Sequence, residues 1–176
     1  MRTLASALKA KALKLLAQRD YSRAELERKM QSWLVAEQRK KMAQGDARQC
    51  EADACTQEFE AAENQLQSIL EDFQARGWIN DERVIESLLH QKSGRLGHLR
   101  LQQDLQARGL DDGLIQEALS NIRETEFDRA CHVWQKRFRA LPSDAAGYNK
   151  QMRFLVYRGF STEVARKVLS GQWLEN

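Results

Sequence analysis

Proline, cysteine and long apolar runs are all scarce in this chain of 176 residues. The chain has a single proline, Pro142, so the commonest helix breaker is missing from almost its whole length. Three cysteines are an odd number with irregular spacing, which argues against a disulfide framework and fits a reducing compartment, so we expect a cytoplasmic protein. No apolar run approaches the roughly 20 residues that a membrane span needs, so no membrane partner is expected.

Sequence motifs for catalysis and for metal binding are also missing. There is no Walker-type phosphate loop, no GxSxG elbow and no HExxH pair. Cys50 and Cys55 are five residues apart, which is neither the CxxC spacing of a metal site nor the helical i, i+4 spacing. His90, His98 and His132 have no carboxylate or cysteine partner at ligand spacing. We therefore expect a protein that is not an enzyme, with no catalytic residue, no metal ligand and no cofactor.

The composition favours an all-α fold. Hydrophobic residues make up 42% of the chain and charged residues 30%, which allows a modest core under a polar exterior. Few segments alternate apolar and polar residues, so strands are hard to place. Lys and Arg outnumber Asp and Glu by 11 to 4 in 1–44 and by 13 to 10 in 94–176, but are outnumbered 4 to 11 in 45–93. Such asymmetry indicates a face that attracts anionic surfaces, although solvated helix faces would also account for it.

One short pattern recurs four times, each time at the end of a predicted helix. It reads RFLVYRGF at 153–160, FQARGW at 73–78, LQARGL at 105–110 and, more loosely, LAQRDY at 16–21. Glycine ends helices because it takes the left-handed conformation without steric cost, so Gly77, Gly109 and Gly159 are predicted to be structural corners. Asp20 holds the glycine position of the first copy, and aspartate tolerates that conformation better than most residues.

Each of these corners is followed at once by a helix start. Ser22, Asn80, Asp111 and Ser161 are preferred N-cap residues. The residue before each cap is apolar and can pack on an apolar residue five positions later, as in a hydrophobic staple. Each copy thus combines a signal that ends one helix with a signal that starts the next. Four copies of such a turn indicate an internal repeat.

The corners divide the chain into about nine predicted helices. They are expected at 4–19, 22–34, 55–76, 80–93, 96–108, 111–122, 124–139, 144–158 and 161–170. Three helical triplets follow, at 1–78, 79–122 and 123–176. The first contains a polar, charged insert near 35–64, which is either helix on both sides of a loop at Gly45 or a mobile linker. Short helical units bury an apolar face only by stacking, so we predict an elongated, curved tandem array of three-helix repeats.

Basic residues gather in several clusters, two of which are candidate binding surfaces. Lys92, Arg95 and Arg100 surround the short link between the fourth and fifth predicted helices, while Lys150 and Arg153 lie on the helix that ends at Gly159. Cations interleaved with aromatic residues can hold phosphates and stack on bases. The same side chains can instead cover a helical core with their charges in water. Further clusters lie at Lys9, Lys11 and Lys14 and at Lys136, Arg137 and Arg139.

Four stretches share their order and approximate spacing with a known family. They are RDYSRAELERKM at 19–30, GWINDERVIESLL at 77–89, GRLGHLRLQQDLQARGL at 94–110 and RFLVYRGFS at 153–161. Together they make the chain resemble the bacterial RecX family, regulators of the RecA recombinase. The segment 35–64 departs from the family, since it looks longer and more polar.

The resemblance implies an all-helical protein of tandem three-helix repeats without catalytic activity of its own. It also implies a partner, the RecA filament on single-stranded DNA, whose ATP hydrolysis, strand exchange and co-protease activity the protein would reduce. A monomer is expected. The residues predicted to contact RecA or DNA are Lys92, Arg95, Arg100, Lys150 and Arg153.

Two other functions stay open on sequence grounds. A tight turn between two helices is also the outline of a helix-turn-helix, so the chain could be a nucleic-acid-binding module that acts without RecA. The fourfold recurrence of the corner argues against this, because DNA readers usually devote one helix pair to the groove. The second alternative is a helical scaffold for another protein.

Overall fold

The computed structural model describes residues 4–43 and 52–174 of the chain. Within these ranges it contains α-helices and one short 3-10 turn at Gln172–Leu174, and no strand, which confirms the all-α helical prediction. The helices are α1 (Leu4–Leu16), α2 (Arg23–Ala43), α3 (Ala52–Ala75), α4 (Asp81–Lys92), α5 (His98–Gln106), α6 (Asp112–Glu124), α7 (Glu126–Arg137), α8 (Ala145–Tyr157) and α9 (Thr162–Leu169).

The largest departure from the predicted helices is in the polar segment 35–64. α2 continues through 35–43 and α3 already begins at Ala52, so the described part of this segment is helix on both sides. Polar residues with few β-branched side chains and no proline carry little penalty within a helix, which explains the extension. Gly45 and Cys50, which the predictions for this segment involve, lie outside the described residues.

The contacts divide the chain into two compact units, Met1–Val84 and Ile85–Asn176. In the first unit α1, α2 and α3 pack on one another. Their shared core is built from fully buried side chains that recur at helical spacing, among them Leu8 on α1, Leu26 and Met30 on α2, and Leu70 and Phe73 on α3. The finer division into repeats at 1–78, 79–122 and 123–176 stays a prediction.

In the second unit α7, α8 and α9 enclose a core around Trp134, which is 2% exposed. The indole Nε1 of Trp134 donates to Gln151 Oε1 at 2.6 Å, and Gln151 Nε2 donates to the Ala140 carbonyl at 3.2 Å, so this buried amide is satisfied. Cys131 is buried beside Trp134, and burial raises the pKa of its thiol to about 11. A thiol with such a pKa is protonated and unreactive at neutral pH.

Three of the four recurring corners have the geometry of a glycine helix cap. Gly77, Gly109 and Gly159 have φ values of +69°, +71° and +86°. After Gly159 the amide of Phe160 donates back to the Leu155 carbonyl at 3.2 Å, which is the capping bond that ends a helix at a left-handed glycine. A fourth glycine, Gly171, has φ +75° after α9.

The predicted N-caps are confirmed at all four corners. Side-chain oxygens of Ser22, Asn80, Asp111 and Ser161 accept from backbone amides at 3.1, 2.9, 3.2 and 3.1 Å respectively. The apolar staple partners are all buried: Tyr21 with Leu26, Ile79 with Val84, Leu110 with Ile115, and Phe160 with Ala165.

The first corner differs from the glycine corners. Aspartate at 20 does not take the left-handed conformation, because among the described residues only glycines have positive φ. α1 instead ends early, at Leu16, and the Asp20 carboxylate accepts from Arg83 Nε at 2.7 Å. Arg83 also donates to the Gly77 and Trp78 carbonyls at 3.3 and 3.1 Å, so a contact distant in sequence holds this turn.

Candidate functional site

Two of the predicted contact residues share one carboxylate. Lys92 Nζ lies 2.6 Å from Asp104 Oδ2, and Arg100 Nε lies 3.5 Å from Asp104 Oδ1. The side chains of Lys92 and Arg100 remain 40% and 52% exposed, so both cations face solvent while Asp104 orients them. Asp104 was not among the residues predicted from the sequence, although its i, i+4 spacing from Arg100 is a usable signal.

Arg95 lies where the start of α5 meets the corner between α8 and α9. Its backbone carbonyl accepts from Arg158 Nη1 at 3.3 Å, and its own guanidinium donates to the Gln91 carbonyl at 3.3 Å. Two backbone bonds complete the junction, from the Gly97 amide to the Arg158 carbonyl at 2.9 Å and from the Leu99 amide to the Gly159 carbonyl at 3.2 Å. Arg95, Arg100 and Arg158 are thereby gathered around Gly159.

The amino end of α5 is capped by a side chain from α7. Gly97 is the N-cap residue and has no side chain to accept a hydrogen bond. Glu126 Oε1 accepts from the His98 amide at 2.9 Å, and both carboxylate oxygens lie 2.8 Å from His98 Nδ1. Glu126 is only 4% exposed, and it gives His98 a buried carboxylate partner, although His98 has none at ligand spacing in the sequence. Glu126 follows His98 by 28 positions in the sequence, which explains why spacing did not show this pair.

Arg129, one turn along α7, holds the same junction from inside. Its guanidinium donates to the carbonyls of Ser93, Leu96 and Ile122, each at 2.7 Å, and to Thr125 Oγ1 at 3.3 Å. Ser93 directly follows the end of α4 and Ile122 lies in the last turn of α6, where the helix dipole favours a cation, whereas Leu96 precedes the N-cap of α5. Burial lowers the pKa of the Arg129 guanidinium, and the Glu126 carboxylate acts in the opposite direction.

Lys150 and Arg153 lie apart from this junction, in an open cleft between α7 and α8. The α7–α8 cleft is lined by Arg137, Phe138, Lys150, Met152, Arg153, Phe154, Val156 and Tyr157. Tyr157 is 85% exposed, and the spacing of 150, 153 and 157 puts these residues on one helix face. The Arg158 guanidinium lies 5.1 Å from the Phe154 ring, so one residue contacts both the cleft wall and the junction.

A second basic groove lies in the first unit, between α1 and α2. It is lined by Lys11, Leu15, Glu25, Arg28, Lys29, Ser32 and Trp33. Of the basic cluster predicted on the first helix, Lys11 lines this groove, whereas Lys9 pairs with Asp72 at 3.7 Å. The carboxylate of Glu25, which pairs with Arg19, makes this groove less uniformly cationic than the α7–α8 cleft.

The cations on these surfaces can attract anions. Within 4–43 and 52–174, no group of three or more His, Cys, Asp or Glu side chains could hold a metal ion. None of the described helices is both long enough and apolar enough to span a membrane.

Comparison with known proteins gives matches over almost the whole chain. Family models described as the second and the third three-helix domains of RecX match residues 80–119 and 124–169. A protein of Leptothrix cholodnii called regulatory protein RecX is 36% identical over 162 residues, which cover 92% of this chain and 87% of that protein. One of the same name from Ralstonia nicotianae is 32% identical over 164 residues, covering 93% and 87%.

Solved structures show the same fold. The crystal structure of RecX from Lactobacillus salivarius superposes with a TM-score of 0.65 at 19% identity and covers 97% of both chains. A second crystal structure, of a regulatory protein RecX, also has a TM-score of 0.65, at 16% identity, and covers 95% of this chain and 72% of that one.

Proposed function

Since the chain belongs to the RecX family, we propose that it binds RecA filaments on single-stranded DNA and inhibits RecA ATP hydrolysis, strand exchange and co-protease activity. The observation that carries this proposal is the similarity to proteins named regulatory protein RecX over more than nine tenths of the chain. The protein would act without catalysis of its own, as a monomer, in the cytoplasm.

The exposed cations of the second unit support this proposal. Single-stranded DNA in the filament carries phosphates, and cations that face solvent steer anionic partners and contribute several weak contacts. A filament repeats its surface, so contacts to neighbouring protomers add through high effective concentration. On this view the junction around Gly159, which presents Arg95 and Arg100, and the face that carries Lys150 and Arg153 are the contact surfaces.

Charge reversal at the junction tests this assignment. We expect Arg95→Glu/Arg100→Glu to need roughly tenfold more protein for half-maximal inhibition of RecA ATPase on single-stranded DNA, because two attractive contacts become repulsive. The fold should persist, because the side chain of Arg100 is 52% exposed and its pair with Asp104 contributes only about 0–1 kcal/mol, while Lys92 still neutralises Asp104.

The matched control is Arg123→Glu/Arg166→Glu, which makes the same charge change on α6 and α9 outside the junction and the cleft. It should inhibit like the unaltered protein. Bare single-stranded DNA binding, measured over a salt series for all three proteins, separates an effect on the filament from an effect on DNA alone. Full inhibition by a folded Arg95→Glu/Arg100→Glu protein would exclude these two residues as contacts.

A further inference from the structure

The α7–α8 cleft combines a cationic rim with an apolar floor. Arg137, Lys150 and Arg153 form the rim, and no Asp or Glu is among the lining residues. In the described part of the chain none of these three cations takes part in an ion pair, whereas Lys92 and Arg100 share Asp104. An anionic partner therefore meets cations here without having to displace a carboxylate of the protein itself.

The floor of the cleft is carbon-rich and contains few ring faces open to stacking. Phe138 and Phe154 are packed edge to face, with centroids 5.3 Å apart at 88°. The Arg137 guanidinium lies 5.9 Å from the Phe138 ring and the Arg158 guanidinium 5.1 Å from the Phe154 ring. Binding of single-stranded nucleic acid uses successive exposed rings as stacking platforms, and among the lining aromatics only Tyr157 is largely exposed.

The apolar lining of the cleft suits the insertion of a single apolar side chain. It consists of the ring edges of Phe138 and Phe154 together with Met152 and Val156. Methionine adapts its shape to such a side chain, and aromatic edges accept aliphatic or aromatic groups. Cations at the rim of an apolar pocket then reach carboxylates on either side of the inserted residue. This combination matches a peptide better than a sugar–phosphate strand, whose charges repeat without an apolar side chain between them.

We propose that the α7–α8 cleft binds an acidic segment of a protein partner, whose carboxylates pair with Arg137, Lys150 and Arg153 while one aromatic or aliphatic side chain packs between Phe154 and Tyr157. The proposal concerns the chemistry of the segment, not the protein that carries it. It therefore stands or falls separately from inhibition of RecA.

The test uses the full chain and a fluorescein-labelled peptide of alternating Asp and Glu with one central Phe. Fluorescence anisotropy should show saturable binding, weakened roughly tenfold when the Phe of the peptide is replaced by Ala. Lys150→Glu/Arg153→Glu should also weaken binding at least tenfold. Arg123→Glu/Arg166→Glu, with the same net charge, should remain within about twofold of the unaltered protein.

Three outcomes would overturn the proposal. One is no saturable binding of the peptide. Another is general electrostatic attraction. It would be indicated if replacing the central Phe by Ala left the affinity unchanged, or if both charge-reversed proteins bound the peptide equally weakly. A third is tighter binding of an oligothymidylate of matched charge that is lost in both Lys150→Glu/Arg153→Glu and Tyr157→Ala, which would identify a nucleic-acid surface. No RecA is present, so failure here leaves the proposed regulation untouched.

Discussion

Gly97→Ala is expected to lower the free energy of unfolding by about 3 kcal/mol or more, at the upper end of overpacking effects, because the new methyl group has no space. A Cβ at this position would overlap the carbonyl group of Gly159 and the amide nitrogen of Phe160, which are backbone atoms and cannot rotate away. Gly97 itself has φ −77° and ψ 166°, which any residue adopts, so the whole effect comes from the contact. Urea unfolding followed by circular dichroism measures the loss.

The same substitution should also have a local effect that unfolding alone does not reveal. Separation of the two backbones breaks the bonds from the Gly97 amide to Arg158 and from the Leu99 amide to Gly159. The side chain of Leu99 is 45% exposed, so protection of its amide depends on that bond more than on burial. Hydrogen exchange at Leu99 should therefore accelerate in the Gly97→Ala protein under native conditions.

Two other glycines provide graded controls. A Cβ at Gly94 meets nothing within 4 Å, so Gly94→Ala should change stability by less than about 0.5 kcal/mol. Gly77 also has open space around it but a φ of +69°, so Gly77→Ala should cost about 1–2 kcal/mol from backbone strain alone. If Gly97→Ala proved no more destabilising than Gly77→Ala, the close packing of α5 on the Gly159 corner would be contradicted.

The corners could be predicted because their chemistry is local. A glycine cap, an N-cap side chain and a staple all lie within about ten residues of one another, and each has a known residue preference. For this reason Ser161 and Asp111 could be predicted correctly as N-cap residues. The corner at Asp20 was predicted wrongly because its geometry is not determined locally. Asp20 takes the position that glycine holds in the other copies, but its carboxylate accepts from Arg83, 63 residues later in the sequence.

The sequence did not indicate the contacts that α5 makes with α7 and with the corner at Gly159. Glu126 caps α5 from 28 residues away, and no periodicity connects it with His98. One signal was available at Gly97. A glycine at a helix start, where Ser or Asp is usual, offers no capping oxygen, so it indicates close backbone approach and a cap supplied from elsewhere.

The sequence predicted which basic residues cluster, but it did not show which of them have a carboxylate partner. Asp104 holds two of them, whereas Lys150 and Arg153 line a cleft without an acidic residue. This difference arises from which helix faces meet in three dimensions. It also makes the two clusters unequal, because a cation already paired with a carboxylate gains less from an anionic partner than one that is not.

Arg129→Met is expected to destabilise the protein by about 3–5 kcal/mol, since three carbonyls lose a charged hydrogen-bond donor and the nearby Glu126 loses a neighbouring cation. Arg129→Lys should recover less than half of this loss. A lysine keeps the charge, but its single ammonium cannot reach the carbonyls of Ser93, Leu96 and Ile122 together as the planar guanidinium does. Urea midpoints and m-values of the three proteins provide the comparison.

Arg123→Met is the matched control, because Arg123 lies on the exposed surface of α6 and its guanidinium donates to Gln116 Oε1 at 3.1 Å. It should change the unfolding free energy by no more than about 1 kcal/mol. The lysine variant decides between two physical roles for Arg129. If Arg129→Lys were as stable as the unaltered protein, positive charge at the helix ends would be the whole contribution. A large loss in the lysine variant means that the fork of donors holds the ends of α4 and α6 against α7, and so sets the position at which Arg95 and Arg100 are presented to a partner.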